Sequence, residues 1–141
     1  MRPLDSSAVA LSRLSRGGFA WVAAAAVQRD RRLLVETAAS SWIADGLALA
    51  TSHAIGRERP CRRLPALIEC PDSPSFPSNH AATAFAAAGV LPGAWWLVPA
   101  AAVAASRVRC GVHTAGDVVA GAALGLAVAR VVRSVAIGSS R

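Results

Sequence analysis

The stretch AATAFAAAGVLPGAWWLVPAAAVAAS, residues 81–106, decides how this chain folds. It holds not one charge. Pro92-Gly93 break it near its middle, and Trp95-Trp96 follow at once. Proline ends a helix by removing a donor and crowding the preceding turn. The stretch therefore reads as a helical hairpin. Its arms of about 11–13 residues reach roughly 16–20 Å at helical rise, short of the ~30 Å of a bilayer's hydrocarbon core. The tryptophans then lie near the far interface. A single kinked helix is the alternative, and it would carry residues 80 and 107 to opposite ends. The hairpin brings them together.

Working outward, residues 5–27 form a helical candidate interrupted by Arg13, Arg16 and Gly17-Gly18, either a short span or an amphipathic interfacial helix. Residues 28–32 are a basic connector. Residues 33–55 make a helix of spanning length. Residues 56–78, with four arginines (57, 59, 62, 63) and prolines at 60, 65, 71, 74 and 77, are a polar loop of the length that often carries function. Residues 113–135 form the last helix, where Gly121 and Gly125 give a small-xxx-small face for close packing. Residues 1–141 thus read as a single domain: an all-α, integral-membrane bundle of about five helices. The loop 56–78, the start of the helix at 79 and the connection 106–117 all emerge at one membrane face.

Composition narrows the function classes. Hydrophobic residues make up 54% of the chain and the mean hydropathy is +0.43. That favours membrane embedding, although alanine supplies much of it and a soluble alanine-rich bundle is the weaker alternative. The net charge of +7 comes from arginine without any lysine. The arginines border apolar runs rather than form a block, and no aromatic residues interleave them. This suits basic loops at anionic headgroups and argues against nucleic acid. Cys61, Cys70 and Cys110 lack the Cys-x-x-Cys spacing of a zinc site. Cys61 and Cys70 can pair across the loop only in an oxidising compartment, and free thiols are the expectation. No cleavable leader is evident around the apolar residues 17–27.

Two short motifs carry chemistry. Ser106-Arg107 is followed by His113 and Asp117, and Pro77-Ser78-Asn79-His80 lies upstream. His113 and Asp117, four apart, share one face of a helix. A carboxylate can then hold one imidazole nitrogen and leave the other free as nucleophile or base. Arg107 can neutralise an oxyanion. Taken singly, a histidine at a helix start, an aspartate near a helix N-terminus and interfacial arginines are ordinary structural residues. Asp45 and His53, inside an apolar helix, divide evenly between function and packing. Cys110 reads as packing.

Together the motifs resemble the signature of the type-2 phosphatidic acid phosphatase superfamily, which includes lipid phosphatases and vanadium haloperoxidases. Its third motif, Ser-Arg, five residues, His, three residues, Asp, is matched by Ser106, Arg107, His113 and Asp117. Its second, Pro-Ser-Gly-His, is matched at Pro77, Ser78 and His80, with Asn79 for glycine. The first, Lys, six residues, Arg-Pro, is matched at Arg59-Pro60, with Ser52 where lysine stands. The resemblance implies a metal-independent, cofactor-free hydrolase of a lipid phosphate or diphosphate. His113 would be the nucleophile, Asp117 its orienting partner and His80 the acid. Arg59, Arg107, Ser78 and the backbone of Asn79 would hold phosphate oxygens. Fixed arginine forks and helix N-terminal amides suit the charge on a phosphoryl group in flight.

The absent lysine removes a cation, and Arg57 is expected to replace it, with His53, Arg62 and Arg63 next. The alanine-rich, lysine-free composition points to a high-GC bacterium of actinobacterial type. Small relatives of that kind resemble polyprenyl-linked phosphatases of cell-wall synthesis. The expectation is a multi-pass protein of the cell membrane acting on a polyprenyl-linked phosphate. The alternatives are a phosphatidate or phosphatidylglycerol phosphate phosphatase, or a catalytically weak membrane scaffold that keeps the family fold.

Overall fold

The computed structural model describes residues 3–138, apart from the side chains of Pro3 and Arg16. Among the described residues there are six α-helices and no strand: α1 (Pro3–Leu14), α2 (Phe19–Val27), α3 (Arg31–Ile55), α4 (Asn79–Val90), α5 (Leu97–Arg109) and α6 (Ala115–Gly138). The expected five become six because the first segment divides. Gly17 and Gly18 both adopt positive φ (70° and 75°), a conformation that glycine tolerates and that ends a helix.

Local chemistry sets the other boundaries. Asp30 caps α3, accepting from the amides of Arg32 and Leu33 at 2.9 and 3.1 Å, so the helix begins two residues earlier than expected. Gly56 ends it in the left-handed region. The uncharged stretch is a hairpin, α4 and α5, turned by Pro92-Gly93. At its tip Trp95 and Trp96 stack with centroids 3.9 Å apart, and Trp96 meets Trp21 of α2 edge-on.

α4 is the centre of the bundle and packs against α3, α5 and α6. Its inward residues are almost all alanine: Ala81, Ala82, Ala84, Ala86 and Ala87 are fully buried. Small side chains let neighbouring backbones close in. The interior also holds Thr37, Ser40 and Ser41, while Trp42, Ile43, Leu47, Val119, Leu126 and Val131 face outward. A bundle whose outside is more apolar than much of its inside suits a lipid environment. α3 and α6, 25 and 24 residues long, are apolar enough to cross a membrane and reach roughly 36–38 Å at helical rise.

The loop between α3 and α4 folds back over the site. Cys61 and Cys70 form a disulfide, Cα atoms 5.7 Å apart, so the expectation of free thiols holds only for buried Cys110. Cys61 packs beside Ile68 against Ala8, Val9, Cys110 and Val112, which ties the loop to α1 and to the α5–α6 connection. Spacing alone could not show that the chain between the two cysteines doubles back. An Arg109–Asp5 ion pair at 2.7 Å further pins α1 to α5.

The α4–α6 crossing depends on two glycines. A Cβ on Gly121 would collide with the carbonyl oxygen of Ser78. One on Gly125 would collide with that of Ala82 and lie 2.8 Å from the amide nitrogen of Ala86. Gly125→Ala should therefore lower stability by about 1–3 kcal/mol, the usual range for overpacking. Gly46→Ala, where a Cβ meets nothing within 4 Å, should be neutral or stabilising. Thermal unfolding of the two variants in detergent checks this contrast.

Candidate active site

A cavity of about 700 Å³ lies where α4 begins and α5 ends. Arg59 of the loop, Asn79 and His80 of the first turn of α4, and Arg107 of the last turn of α5 form part of its wall. α1 and α3 complete it, contributing Ser12, Arg13 and Asp45 among others.

His113 stands behind this wall, 2% exposed. It precedes α6 rather than lying on it. Thr114 and Asp117 make a reciprocal cap: the Thr114 amide donates to Asp117 Oδ2 at 2.8 Å, and the Asp117 amide to Thr114 Oγ1 at 3.3 Å. The expected proximity of His113 and Asp117 is present, but a capping turn produces it instead of a shared helical face.

Arg59 Nη1 lies 2.9 Å from His113 Nε2. A guanidinium only donates, so Nε2 presents its lone pair and the ring proton resides on Nδ1. Nδ1 faces Asp117 Oδ2 at 3.7 Å, longer than a hydrogen bond and within ion-pair reach. Burial, and then the charges of Arg59 and Arg107, push the His113 pKa down from 6.5 to about 3, outweighing Asp117. The ring is neutral at pH 7, with its lone-pair nitrogen turned toward the arginine that borders the cavity.

Arg59 is itself anchored. Nε donates to the Ser73 carbonyl at 2.7 Å, Nη2 to Ser73 Oγ at 3.0 Å, and Nη1 also to the Val112 carbonyl at 3.0 Å. Burial lowers its pKa, opposed by Asp117. Arg107, 4% exposed, donates from Nη1 to Ser12 Oγ of α1. Ser78 is fully buried and caps α4, its hydroxyl accepting from the Ala81 amide at 3.5 Å. Its own amide donates to the Asp117 carbonyl at 2.9 Å. The second and third motifs are thereby joined backbone to backbone.

Two placements depart from expectation. Arg57 is absent from the cavity wall. Its Nη1 donates to Asp117 Oδ1 at 2.9 Å, and its guanidinium lies over the Phe76 ring, 5.1 Å from the centroid. The fully buried carboxylate claims it. His53, Arg62 and Arg63 are exposed and likewise off the wall, and Ser52 is buried, its hydroxyl bonded to the Leu49 carbonyl at 2.8 Å. The cation that does reach the cavity beside Arg59 and Arg107 is Arg13 of α1. Asn79, expected to matter through its backbone, also uses its side chain: Nδ2 donates to Asp45 Oδ1 at 3.2 Å, and Oδ1 lies 3.1 Å from His80 Nδ1. Sequence reasoning missed Ser12 and Arg13 because α1 read as an interfacial helix. The serines and arginines at 12, 13 and 15–16, gathered at its end, were the available signal.

The PAP2 superfamily profile aligns with residues 31–139. The chain belongs to the PAP2 superfamily. Decaprenylphosphoryl-5-phosphoribose phosphatase of Mycobacterium tuberculosis is 36% identical over 129 residues, covering 86% of this chain and 72% of that protein. The Mycolicibacterium smegmatis protein of the same name is 34% identical over 128 residues, covering 82% and 70%. The crystal structure of the first transmembrane PAP2 type phosphatidylglycerolphosphate phosphatase from Bacillus subtilis superposes with a TM-score of 0.78 at 23% identity, over 96% of this chain and 78% of that one. LpxE of Aquifex aeolicus gives 0.78 at 22% identity, over 95% and 88%. At these identities the two structures establish the shared fold.

A histidine held neutral by the folded protein has a signed consequence for stability. Its folded pKa, about 3, lies below the unfolded value of 6.5. The unfolded chain therefore takes up a proton first as pH falls. Stability is full above about pH 6.5 and declines below it, by up to roughly 1.4 kcal/mol per pH unit from this one group. Thermal melting between pH 7 and pH 4 should fall less steeply in His113→Gln than in the wild type.

Proposed function

We propose that this chain is a membrane lipid phosphatase that removes a phosphate from a polyprenyl-linked substrate through a phosphohistidine intermediate. The observation that carries the reading is the buried His113, its Nε2 lone pair against Arg59 and its Nδ1 toward Asp117, behind a cavity that His80 and Arg107 share. His113 Nε2 attacks phosphorus. As the P–N bond forms and the P–O bond to the substrate's alcohol breaks, His80 gives its Nε2 proton to the leaving oxygen. A water then attacks the phosphohistidine, loses a proton to His80, and frees inorganic phosphate and His113. Arg59 and Arg107 neutralise the equatorial oxygens, and Arg13 supplies the third cation in place of the missing lysine. Arg57 acts one step back, holding Asp117.

The two mycobacterial relatives are named for a polyprenyl phosphate that carries a phosphorylated sugar, and they support a substrate of that class. The cavity is roomy enough for a sugar phosphate, and Asp45, Glu69 and Asp72 line it as acceptors for hydroxyl groups. Ser52 in the lysine position favours the weak-scaffold reading, and Arg13 on the wall weakens that case. The purified protein in detergent, assayed against polyprenyl-linked phosphates, phosphatidate and phosphatidylglycerol phosphate, should prefer the first. His113→Ala should abolish phosphate release. Arg13→Ala should lower kcat/KM by about 10–100-fold, the scale of one charge-assisted contact. Activity should survive a chelator, because arginines do the neutralising. Near wild-type turnover by His113→Ala would end this mechanism.

The outward apolar faces of α3 and α6 support a multi-pass protein of the cell membrane, and the disulfide supports its orientation. Disulfides persist on the oxidising side, so the loop bearing Arg59, and the site with it, faces outward. Arg29, Arg31 and Arg32 at the other end of α3 suit the cytoplasmic side. In intact cells carrying Cys110→Ala, an impermeant phosphine followed by an impermeant maleimide should label Cys61 and Cys70. Labelling that appears only after lysis would turn the site inward.

A further inference from the structure

Asn79 occupies the one position of the second motif where the family pattern has glycine, and its side chain is committed at both ends. On one side Nδ2 donates to Asp45 Oδ1 at 3.2 Å. On the other, Oδ1 accepts from the His80 backbone amide at 3.1 Å and lies 3.1 Å from His80 Nδ1. A carboxylate can only accept, so it fixes which end of the amide faces it. That leaves the carbonyl oxygen toward His80, and an oxygen acceptor requires the ring nitrogen facing it to carry the proton. Asp45, Asn79 and His80 all border the cavity, Asp45 reaching it from α3 and the other two from α4.

We infer that Asp45 and Asn79 form a positioning relay that holds His80 with its Nδ1 proton on Asn79 and its Nε2 directed at the oxygen leaving phosphorus. The inference deepens the proposed mechanism and rests on His80 being its acid. The chemistry is consistent at each stage. The imidazolium has protons on both nitrogens. When Nε2–H passes to the leaving alkoxide, the neutral ring that remains has its proton on Nδ1, the tautomer Asn79 accepts from. In the second half-reaction Nε2 takes the proton of the attacking water and the ring returns to its starting form. Asp45 and Asn79 gain and lose no proton; they act by orientation. Where glycine stands in this motif, position 79 has no side chain with which to reach the ring. Here α3 and α4 supply one jointly, and Asp45, a charged residue within an apolar helix, acquires a role.

A relay that serves the acid matters only where the leaving group needs a proton. The test compares kcat/KM, which reads the step up to loss of the alcohol, for two monoesters. One is dodecyl phosphate, whose alkoxide must be protonated. The other is a 4-nitrophenyl phosphate bearing a dodecyl chain, whose phenolate leaves unaided. Asn79→Leu and Asp45→Asn should each lower kcat/KM for the alkyl ester by about 10–100-fold more than for the aryl ester, which should still turn over. The aryl ester thus reports that each variant has folded and still uses His113. Equal losses on both esters in both variants would make the contacts merely structural and overturn the relay, as would an undiminished alkyl rate. His80→Ala separates this from the parent reading. If it shows the same selectivity while the other two variants do not, the relay fails and the acid stands. If His80→Ala itself shows no selectivity, the acid assignment fails and the relay falls with it.

Discussion

The close approach of α4 to α6 is the constraint on which the rest depends. Gly121 and Gly125 leave no side chain between the two helices, and the carbonyls of Ser78 and Ala82 occupy the space a Cβ would need. In lipid the solvent offers no hydrophobic force to press helices together, so association relies on close packing of small surfaces. The alanine face of α4 meets that need on its other sides. One consequence is chemical. With the helices this close, the Ser78 amide reaches the Asp117 carbonyl. Two motifs that lie far apart in sequence then share a hydrogen bond, and His80 and His113 gather at one end of the bundle.

Gathering cations at a buried site is costly, and the structure offsets it locally. Arg59 is 5% exposed and has four contacts, to Ser73 twice, to Val112 and to His113. Asp117, fully buried, accepts from Arg57 and from the Thr114 amide. Removing either partner would leave a buried charge exposed to a low-dielectric surrounding, which is far worse than the net worth of the pair. The same pressure explains why Arg57 reaches Asp117 rather than the cavity wall. The nearest unmet charge is the carboxylate of Asp117, not the cavity, and the half-exposed guanidinium goes there.

Much of this was legible in the sequence because its cause is local. The break at Pro92-Gly93, the length of α3 and the small faces of α6 follow from residue type and spacing. So does the nearness of His113 to Asp117, although through Thr114 and a capping turn that spacing alone does not distinguish from a helix. What escaped reading depends on tertiary placement. The polar cluster at 12–16 marks the end of α1 but does not say that it will reach Arg107; the ion pair from Asp5 to Arg109 and the packing of Ala8 and Val9 on Val112 bring it there. The pairing of Cys61 with Cys70 depends on a loop whose ends are fixed by other elements. Arg57 looked free because its partner is sixty positions away.

The two histidines illustrate how one requirement is met at two distances. A ring that must present one nitrogen to a reacting atom needs the other nitrogen held. For His113 the carboxylate of Asp117 is near enough to face Nδ1 directly, since both residues belong to the turn that opens α6. His80 begins a different helix, and the carboxylate on its side, Asp45, projects from α3. The gap is one amide wide. Asn79 fills it with a donor for the carboxylate and an acceptor for the ring, which glycine cannot provide. A substitution that weakens the match to a family pattern therefore adds a contact at the position where the pattern has none, and the neighbouring helix supplies the group that makes the contact directional.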